Sequence, residues 1–430
     1  MTLMLFLYLF FSTLIVLTLS PLLAAAAIAD WRGMRDRLGI GLGNDDQDDR
    51  SLIWFHAASV GEVVGLARIV NTLLTASPAR RTLVTTMTMT GLERARQLIP
   101  EASFHHLAPL DTPFVVHRFI RRFRPTALIL VEGELWPALV RGADRAGCPI
   151  ALVNARMSDR SYPRNRFIRP LLRSLLQRVD LLGAQTALDA ERFVTFGAEP
   201  AKVVVTGNVK FDSATLGSTE ERAIIRNRLG IAADRVVLLA GCPRPVFEER
   251  AVLEACLRVH TAHPDTLVIW APRHLDRLPD VQRMLTDAGL TFVLRSHLTG
   301  VTPVTEPMIL LDTMGELSAL YRIADVAFVG ATLVPLGGHN VFEPAVFGVP
   351  VVFGPHTENV RAAAEALLRF GAGTVVTNGS ELAAAWLRLI ENPEERRQMG
   401  QAAHQATRSD DGALARTMAL LDELFSCRVP

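Results

Sequence analysis

The chain of 430 residues has only four cysteines, Cys148, Cys242, Cys256 and Cys427, and they lie far apart. No Cys-x-x-Cys pair and no His/Cys cluster is present, which argues against a zinc module or a disulfide framework. HExxH and EF-hand motifs are also absent, so the sequence predicts neither a metal site nor a cofactor. Isolated cysteines are typical of a reducing compartment, where they pack as small apolar side chains.

The chain also lacks net charge, since 45 Lys and Arg balance 44 Asp and Glu to give +1. This balance gives no electrostatic reason to expect nucleic acid as a partner. P-loop, GxGxxG and Ser-His-Asp motifs are missing as well. An apolar content of 49% and a charged content of 21% indicate instead a globular protein with a sizeable core. The length suits two or three domains.

The first 29 residues carry no charged side chain and are apolar enough to span a bilayer. Arginines follow at once, at Arg32, Arg35 and Arg37, which places the rest of the chain in the cytoplasm by the positive-inside rule. A cleaved signal peptide is the alternative, and the alanine run at 24–27 favours it. The absence of a charged segment before the apolar run favours an uncleaved transmembrane anchor over 1–29.

Beyond residue 50, short apolar runs alternate with helical patterns, which is typical of βαβ units around parallel sheets. A polar break divides this alternation into two α/β domains. We predict a domain over 30–206, a linker over 207–217, a second domain over 218–378 and terminal helices over 379–430. The predicted strands are 52–55, 82–86, 127–131, 150–153, 181–184, 203–206, 236–240, 267–271, 291–294, 308–311, 326–329, 351–353 and 374–376.

Glu62 stands where the first predicted strand passes into a helix, after a turn at Gly61. Ligands of open α/β sheets bind at the carboxyl ends of strands, so this carboxylate is a candidate general base. The segment also fits the capping box Ser-x-x-Glu, in which Glu62 would only satisfy the start of the helix. The local sequence leaves both interpretations open.

Other charged and glycine-rich segments follow strands in the same way. Glu132 comes directly after the strand at 127–131, and Lys210 lies at the break between the domains. Arg273 follows the strand at 267–271 and suits a phosphate. Asn340 and Glu343 follow a Gly-Gly pair, where they indicate either a helix start that faces a phosphate or a simple cap over a helix at 340–347. A surface turn would explain Arg273 equally well, and a charge favoured at a helix entry would explain Glu132. A lysine at such a break is more often a solvated surface residue.

These motifs, in this order, resemble the 3-deoxy-D-manno-octulosonic acid (Kdo) transferases of lipopolysaccharide synthesis. The resemblance runs from the anchor to about residue 376. The segments that carry it are 54–62, 85–91, 109–111, 132–137, 154–158, 206–212, 272–274, 314–317, 337–344 and 354–356, with Asn359.

The resemblance implies a GT-B fold, in which two Rossmann-like domains face a cleft. It implies an inverting transfer of Kdo from CMP-Kdo to a lipid A precursor of the lipid IVA type, at the inner membrane and on its cytoplasmic side. Glu62 matches the family's base, and Glu132 and Lys210 match positions that assist the transition state. The positions that match donor contacts are Pro272, Arg273, Met314, Gly315, Glu316, Asn340, Val341, Phe342 and Glu343.

One segment departs from the family. A Ser-Thr-His loop is usual at the start of the second domain, but here the loop over 241–247 reads Gly-Cys-Pro-Arg-Pro-Val-Phe. Similarly, Gly-Ala-Thr at 330–332 replaces the usual Gly-Gly-Ser. Arg244 is a candidate substitute as an anion contact. A transferase or epimerase with another nucleotide sugar, and an inactive membrane-bound relative, therefore stay as alternatives. For Glu62 itself we expect the helix N-terminus to keep the carboxyl group ionised at neutral pH.

Overall fold

The computed structural model describes residues 2–29, 33–42, 50–159, 161–210, 219–300, 302–408 and 412–426. The chain forms two compact units, the first made of Met1–Asp212 with Gly412–Pro430 and the second of Ser213–Asp411. Most of the predicted linker, residues 211–217, lies outside the described residues, and so do Asp30, Arg32 and Cys427. Each unit contains one parallel sheet of seven strands.

The first unit is built on a sheet with the strand order β3-β2-β1-β4-β5-β6-β7. Its central strands are buried along their whole length, because helices cover both faces and the strands are therefore continuous apolar runs. The strands are β1 (Leu52–Ala57), β2 (Arg81–Thr86), β3 (Phe104–Leu107), β4 (Ala127–Val131), β5 (Ile150–Ala155), β6 (Leu181–Ala184) and β7 (Val203–Val205).

Polar N-caps begin several of the helices between these strands. Ser59, Thr88 and Thr186 each accept a hydrogen bond from the backbone three residues later. The helices are α1 (Leu3–Thr18), α2 (Ser20–Ile28), α3 (Met34–Arg37), α4 (Val60–Ala76), α5 (Met89–Leu98), α6 (Pro113–Phe123), α7 (Pro137–Arg145), α8 (Ser161–Asn165), α9 (Arg169–Leu176) and α10 (Ala187–Thr195).

Helix α1 packs on the first unit through one of its faces. Leu5 is fully buried in the core of the unit, and the Tyr8 hydroxyl donates a hydrogen bond to Asp111 Oδ2 at 2.9 Å. Within the described residues, no single helix has both the length and the hydropathy for a membrane span. Helices α1 and α2 meet those two criteria only as a pair, and the pair is bent by 63°.

The second unit has the strand order β10-β11-β9-β8-β12-β13-β14. Its strands are β8 (Val237–Gly241), β9 (Leu267–Ala271), β10 (Phe292–Leu294), β11 (Met308–Leu310), β12 (Val326–Val329), β13 (Val351–Phe353) and β14 (Gly373–Val375). Its helices are α11 (Thr219–Leu229), α12 (Phe247–Ala262), α13 (Leu278–Asp287), α14 (Leu317–Tyr321), α15 (Phe342–Ala345), α16 (Arg361–Arg369), α17 (Gly379–Glu391) and α18 (Pro393–Arg408).

The last helix, α19 (Ala413–Ser426), belongs to the first unit. Its Leu421 and Leu424 join the core beneath β1, β4 and β5. Arg416 Nε also donates to the carbonyl oxygen of Thr206 at 2.9 Å. Nothing in the sequence predicts this return of the chain.

The predicted α/β class is confirmed, and every strand except β3 was predicted. The sequence of β3, Phe-His-His-Leu, is too short and too polar to stand out as an apolar run. In each sheet the direction of chain progression reverses once beside the first strand, between β1 and β4 and between β8 and β12. Open α/β sheets bind ligands at such switch points, so the loops that follow these four strands are candidate ligand-binding loops.

Candidate active site

Glu62 lies in the first turn of α4, at the end of β1. The N-cap Ser59 donates its hydroxyl to Glu62 Oε1 at 2.9 Å, and the backbone N–H of Ala58 donates to Oε2 at 2.7 Å. The N-cap bond of the predicted capping box is also present, from the backbone N–H of Glu62 to Ser59 Oγ at 3.4 Å, but the carboxylate binds the N–H of Ala58 and not that of Ser59. Since the same bonds fix the rotamer and hold the carboxylate at the switch point, capping and a catalytic role do not exclude each other.

Burial raises the pKa of Glu62 to about 7, against the effect of the hydrogen bond from Ala58. The negative charges of Glu132 and Glu134 raise it further, and the Ser59 hydroxyl lowers it. The expectation that the helix N-terminus keeps Glu62 fully ionised is therefore wrong, because burial of a side chain that is only 9% exposed outweighs the local donors. A carboxyl group with this pKa is a stronger base than an ordinary glutamate, and about half of it is ionised near pH 7.

Glu132 and Lys210 form an ion pair beside Glu62. Lys210 Nζ lies 2.5 Å from Glu132 Oε1, and both side chains are partly buried. Glu132 has a φ of 58°, a left-handed conformation that costs a non-glycine residue about 1–3 kcal/mol. The structure thus brings together the three positions in this unit that the sequence singled out, with one of them held in a strained backbone conformation.

The Lys210 side chain lies over two glycines of α4, of which Gly65 makes room for it. A Cβ atom at Gly61 would lie 3.9 Å from Lys210 Nζ, and one at Gly65 would lie 3.2 Å from Lys210 Cγ. The two glycines are four residues apart and therefore share one face of the helix. The Lys210 side chain lies along this face, and its ammonium group contacts Glu132.

We expect Gly65→Ala to lower the turnover number about threefold to tenfold, because the new methyl group displaces Lys210 by a fraction of an ångström. Removing a glycine from a helix interior should at the same time stabilise α4 by about 0.5–1 kcal/mol. Steady-state kinetics and thermal unfolding measure the two effects. Val64→Ala, at the neighbouring exposed position, is the control and should leave turnover unchanged. Unchanged turnover in Gly65→Ala would contradict this role of the glycine face.

His56 and Glu134 belong to the same cluster. Glu134 is the second of the two carboxylates that follow the strand at 127–131 in the sequence, whereas His56 was not predicted as a site residue. His56 is buried at the end of β1, with Nδ1 3.0 Å from Thr85 Oγ1 and Nε2 3.8 Å from Glu134 Oε2. Glu134 also accepts a hydrogen bond of 2.7 Å from the indole N–H of Trp136. Both residues could be found from the sequence by their position, because each lies at or just after a strand end, in the segments that contain Glu62 and Glu132.

The loop that carries Lys210 is fixed to the end of β5. Asn154 Oδ1 accepts a hydrogen bond from the backbone N–H of Val209 at 3.1 Å. Asn208 Oδ1 accepts one from the N–H of Lys210, also at 3.1 Å. Asn154 has a φ of 52°, so a second residue at a strand end is held in a left-handed conformation. These contacts fix the position of the loop that carries Lys210.

In the second unit, Arg273, just after the end of β9, lies near Glu343, in the first turn of α15. The pKa of Glu343 is raised by desolvation of its carboxyl group, although the residue reaches solvent. A hydrogen bond with Asn340 and the charge of Arg273 both lower that pKa. Burial likewise raises the pKa of the Cys242 thiol, which Arg273 lowers and Glu343 raises. Cys242 therefore belongs to this group, a position that the sequence analysis noted only as part of the unusual loop.

A group of cations surrounds His339 in the same unit. Burial and the charges of Arg273, Arg244 and His274 lower the pKa of His339 to about 4. His339 is therefore neutral at physiological pH, and the fixed positive charge comes from the two arginines. This arrangement suits a ligand that carries a phosphate and a carboxylate.

The Gly-Gly pair before Asn340 is required by the backbone. Gly337 and Gly338 have φ values of 86° and 81°, and a Cβ atom at Gly337 would lie 2.1 Å from Asn359 Nδ2. Asn359 binds this loop in two places, through the carbonyl oxygens of Leu336 and Gly337. The glycines therefore allow the β12 loop to pack directly against Asn359.

The predicted helix at 340–347 is only one turn long. Helix α15 spans Phe342–Ala345, its N-cap is Val341, and Asn340 Oδ1 instead accepts a hydrogen bond from the N–H of Phe342 at 3.1 Å. The interpretation of Asn340 as the cap of a full helix is therefore wrong. So short a helix has little macrodipole, and individual side chains must supply most of the charge for a ligand.

Three further predicted donor contacts surround the start of α14, and Pro272 directly precedes Arg273. Met314 is 79% exposed, and Gly315 has a φ of 85°. Glu316 is already paired, since it accepts a hydrogen bond of 2.7 Å from Arg295 Nη2 and another from the Thr313 hydroxyl. A ligand would meet a carboxylate that is held in place by its neighbours.

The unusual loop at 241–247 is held by a buried carboxylate. Glu248 accepts hydrogen bonds from the backbone N–H groups of Arg244, Ala331, Thr332 and Leu333 at 2.6 to 2.9 Å. It thereby joins the loops after β8 and β12, which are the two strands of the switch point. Ala331 has a φ of 60°, a left-handed conformation that favours glycine. The departure from the family pattern therefore leaves a well-ordered loop in place.

No group of three or more metal-ligating side chains with suitable geometry occurs among the described residues. The three carboxylates around Glu62 instead share one lysine and one histidine. This composition supports proton transfer by a positioned base, with the positive charge supplied by Lys210.

Sequence comparisons show which known proteins are similar to this chain. The family model described as 3-deoxy-D-manno-octulosonic-acid transferase (kdotransferase) matches residues 32–213. A 3-deoxy-D-manno-octulosonic acid transferase of Haemophilus influenzae is 34% identical over 373 residues, which is 86% of this chain and 86% of the relative. A transferase of the same name from Chlamydia trachomatis is 31% identical over 380 residues, which is 87% and 86% of the two chains.

Among solved structures, a putative UDP-N-acetylglucosamine 2-epimerase from Listeria monocytogenes is similar in fold. The TM-score is 0.63 at 17% identity, and the match covers 88% of this chain and 98% of the other. At this identity the likeness concerns the fold alone. It confirms the GT-B fold that the sequence predicts.

Proposed function

We propose that this chain, which belongs to the 3-deoxy-D-manno-octulosonic acid (Kdo) transferase family of glycosyltransferases, transfers Kdo from CMP-Kdo to a lipid A precursor of the lipid IVA type. The observation that carries the proposal is the buried Glu62 carboxylate, whose pKa is raised to about 7 beside the Glu132–Lys210 pair. A base of this strength suits the deprotonation of a sugar hydroxyl in a single displacement.

In the proposed reaction, Glu62 takes the proton of the attacking acceptor hydroxyl. The hydroxyl oxygen forms a bond to the anomeric carbon of Kdo while the bond from that carbon to the phosphate oxygen breaks. CMP leaves with the bonding electron pair, and the configuration inverts. Lys210 stabilises negative charge on the donor, and Glu132 holds the ammonium group in position at 2.5 Å.

We assign donor binding to the second unit. Arg273, together with Arg244, supplies positive charge for the phosphate and the carboxylate of CMP-Kdo. Asn340 and Glu343 suit hydroxyl groups of the donor, since one offers an amide and the other a carboxylate. The remaining contacts that the family resemblance suggests are Pro272, Met314, Gly315, Glu316, Val341 and Phe342.

We further propose that α1 and α2 attach the enzyme to the inner membrane, with both units on the cytoplasmic side. The support is the uncharged segment 1–29 and the arginines that follow it. The acceptor is itself a lipid, so an enzyme held at the bilayer meets it without extracting it into water.

A radiolabel transfer assay tests the function directly. Full-length enzyme in detergent should transfer labelled Kdo from CMP-Kdo, formed in place by a CMP-Kdo synthetase, to lipid IVA. Label should not move from UDP-N-acetylglucosamine or CMP-sialic acid. The altered loop at 241–247 favours a second candidate, a transferase for another nucleotide sugar. Transfer from one of those donors and none from CMP-Kdo would establish that candidate, and no transfer from any donor would indicate an inactive relative.

A further inference from the structure

A groove in the first unit shares no lining residue with the candidate active site. It has a volume of about 1000 Å³, at the upper end for ligand pockets, and runs between α1 and the helices α6 and α7. One wall is apolar and comes from α1, where Phe6, Phe10, Leu14 and Leu17 are all at least 47% exposed. Exposed apolar side chains in a continuous row mark a surface that a ligand or a membrane covers.

The opposite wall is cationic. It contains Arg121 and Arg124 from the end of α6, and Arg141 and Arg145 from α7. Among the described residues, none of these four arginines forms an ion pair with a carboxylate. Helix C-termini attract cations, which explains Arg121 and Arg145 in the last turns of their helices.

Helix ends do not explain Arg141, which stands in the middle of α7. Burial, followed by the charges of Arg145 and Arg178, lowers the pKa of Arg141, and Asp144 acts in the opposite direction. The arginines therefore repel one another without a ligand. An anion in the groove would remove that repulsion.

The backbone under the arginines is built for close packing. A Cβ atom at Gly142 would lie 2.7 Å from Val116 Cγ1 and 3.0 Å from Ile120 Cδ1. Glycine at this position therefore lets α6 and α7 pack closely, so that the two helices form the base of the groove without a gap. The groove is thus a preformed feature of the unit.

Topology separates the cationic end of the groove from the candidate active site. In a parallel βαβ unit, a helix begins at the carboxyl edge of the sheet and ends at the amino edge, where the next strand starts. Arg121, Arg124 and Arg145 lie at the ends of α6 and α7, just before β4 and β5. Glu62 and Glu132 lie at the beginning of α4 and at the end of β4. A charge held by those arginines is therefore at the opposite edge of the sheet from the proposed base.

We propose that this groove binds an anionic diacyl phospholipid of the bilayer, with its headgroup phosphate on the arginines and an acyl chain along α1. Charge complementarity favours this occupant, because one wall matches a phosphodiester and the other matches a hydrocarbon chain. Basic pockets next to membrane helices bind anionic lipid headgroups in this way. The proposal does not depend on Kdo transfer, and the experiment that tests it measures only lipid binding.

Native mass spectrometry of the full-length protein in detergent provides the test, with phosphatidylglycerol and phosphatidylcholine of the same acyl chains as probes. The wild-type protein should retain phosphatidylglycerol with an affinity at least about tenfold higher. Arg121→Gln combined with Arg141→Gln should lower the affinity for phosphatidylglycerol about 20- to 30-fold, since each cation contributes roughly a factor of five. The affinity for phosphatidylcholine should fall much less, because its choline cation balances the charge of its phosphate.

The matched control is Arg94→Gln combined with Arg96→Gln, which removes two exposed arginines from α5 of the same unit. This control should retain phosphatidylglycerol like the wild type. Equal retention of both lipids by the wild type, or equal losses in both double variants, would overturn the proposal. Stoichiometric displacement of phosphatidylglycerol by lipid IVA would also overturn it, because the groove would then belong to the acceptor. Circular dichroism confirms that each variant is folded.

Discussion

Glu62→Gln should lower kcat by about 10³-fold or more while CMP still binds. Glutamine has nearly the same shape and can still accept a hydrogen bond from Ala58, but it cannot take up a proton. General bases contribute about 10²–10⁴-fold, and a buried base whose rotamer is fixed by two hydrogen bonds belongs at the upper end of that range. The radiolabel assay measures turnover, and calorimetry with CMP measures ligand binding.

The thermal stability of this variant distinguishes a capping role of Glu62 from a role as base. If Glu62 were only a cap, its replacement by alanine would cost about 1 kcal/mol and would leave turnover of the folded protein intact. Retained turnover in Glu62→Gln, with a lowered unfolding temperature, would therefore refute the role as base.

The wild-type enzyme should also show an acid limb in kcat/KM near pH 7. Below this pH Glu62 is protonated and cannot accept the proton of the acceptor, so activity falls as the pH decreases. Glu132→Gln should move the limb to lower pH, because the negative charge of Glu132 raises the pKa of Glu62. A limb that stays in place would show that another group controls it.

Lys210→Met should lower kcat by about 10²–10³-fold, the range for removing one preorganised charge from a transition state. Methionine keeps most of the side-chain length over Gly61 and Gly65 but has no cation. Glu132 is then left without its partner, so the pKa of Glu62 should rise and the acid limb should move to higher pH. Rate measurements across the pH range record both changes together.

Lys202→Met is the matched control, because Lys202 is also paired with a glutamate of the first unit, at 3.4 Å from Glu199. It should leave both kcat and the position of the limb unchanged. A similar loss in Lys202→Met and Lys210→Met would mean that general charge, and not the position of Lys210, matters. Restoration of most activity by Lys210→Arg would further support a role for the cation.

Much of the fold could be predicted because the central strands are buried on both faces. Such strands are continuous apolar runs, and the turns between them carry glycine or N-cap residues, as at Ser59. The edge strand β3 was missed because it is only half-buried along most of its length. The position of α19 could not be predicted either, since an amphipathic helix does not specify which of two cores will cover its apolar face.

The proximity of Glu62, Glu132 and Lys210 is in part a consequence of strand order. Residues that follow neighbouring strands β1 and β4 must lie side by side, but the sequence alone does not specify that order. The raised pKa of Glu62 could not be predicted, because it depends on burial and on two carboxylates from another loop. His56 shows the same limit, since its contact with Glu134 joins residues that are distant in the sequence.

Helix α19 has a consequence for how the protein is made. Leu421 and Leu424 complete a core whose other members are translated before residue 212. About 200 residues separate the two parts, so at 5–20 residues per second a ribosome needs roughly 10–40 s to supply the missing helix. During that interval the first unit exists without its last covering layer, while all of the second unit is being synthesised. The unit whose synthesis begins first is therefore the last to have its chain complete.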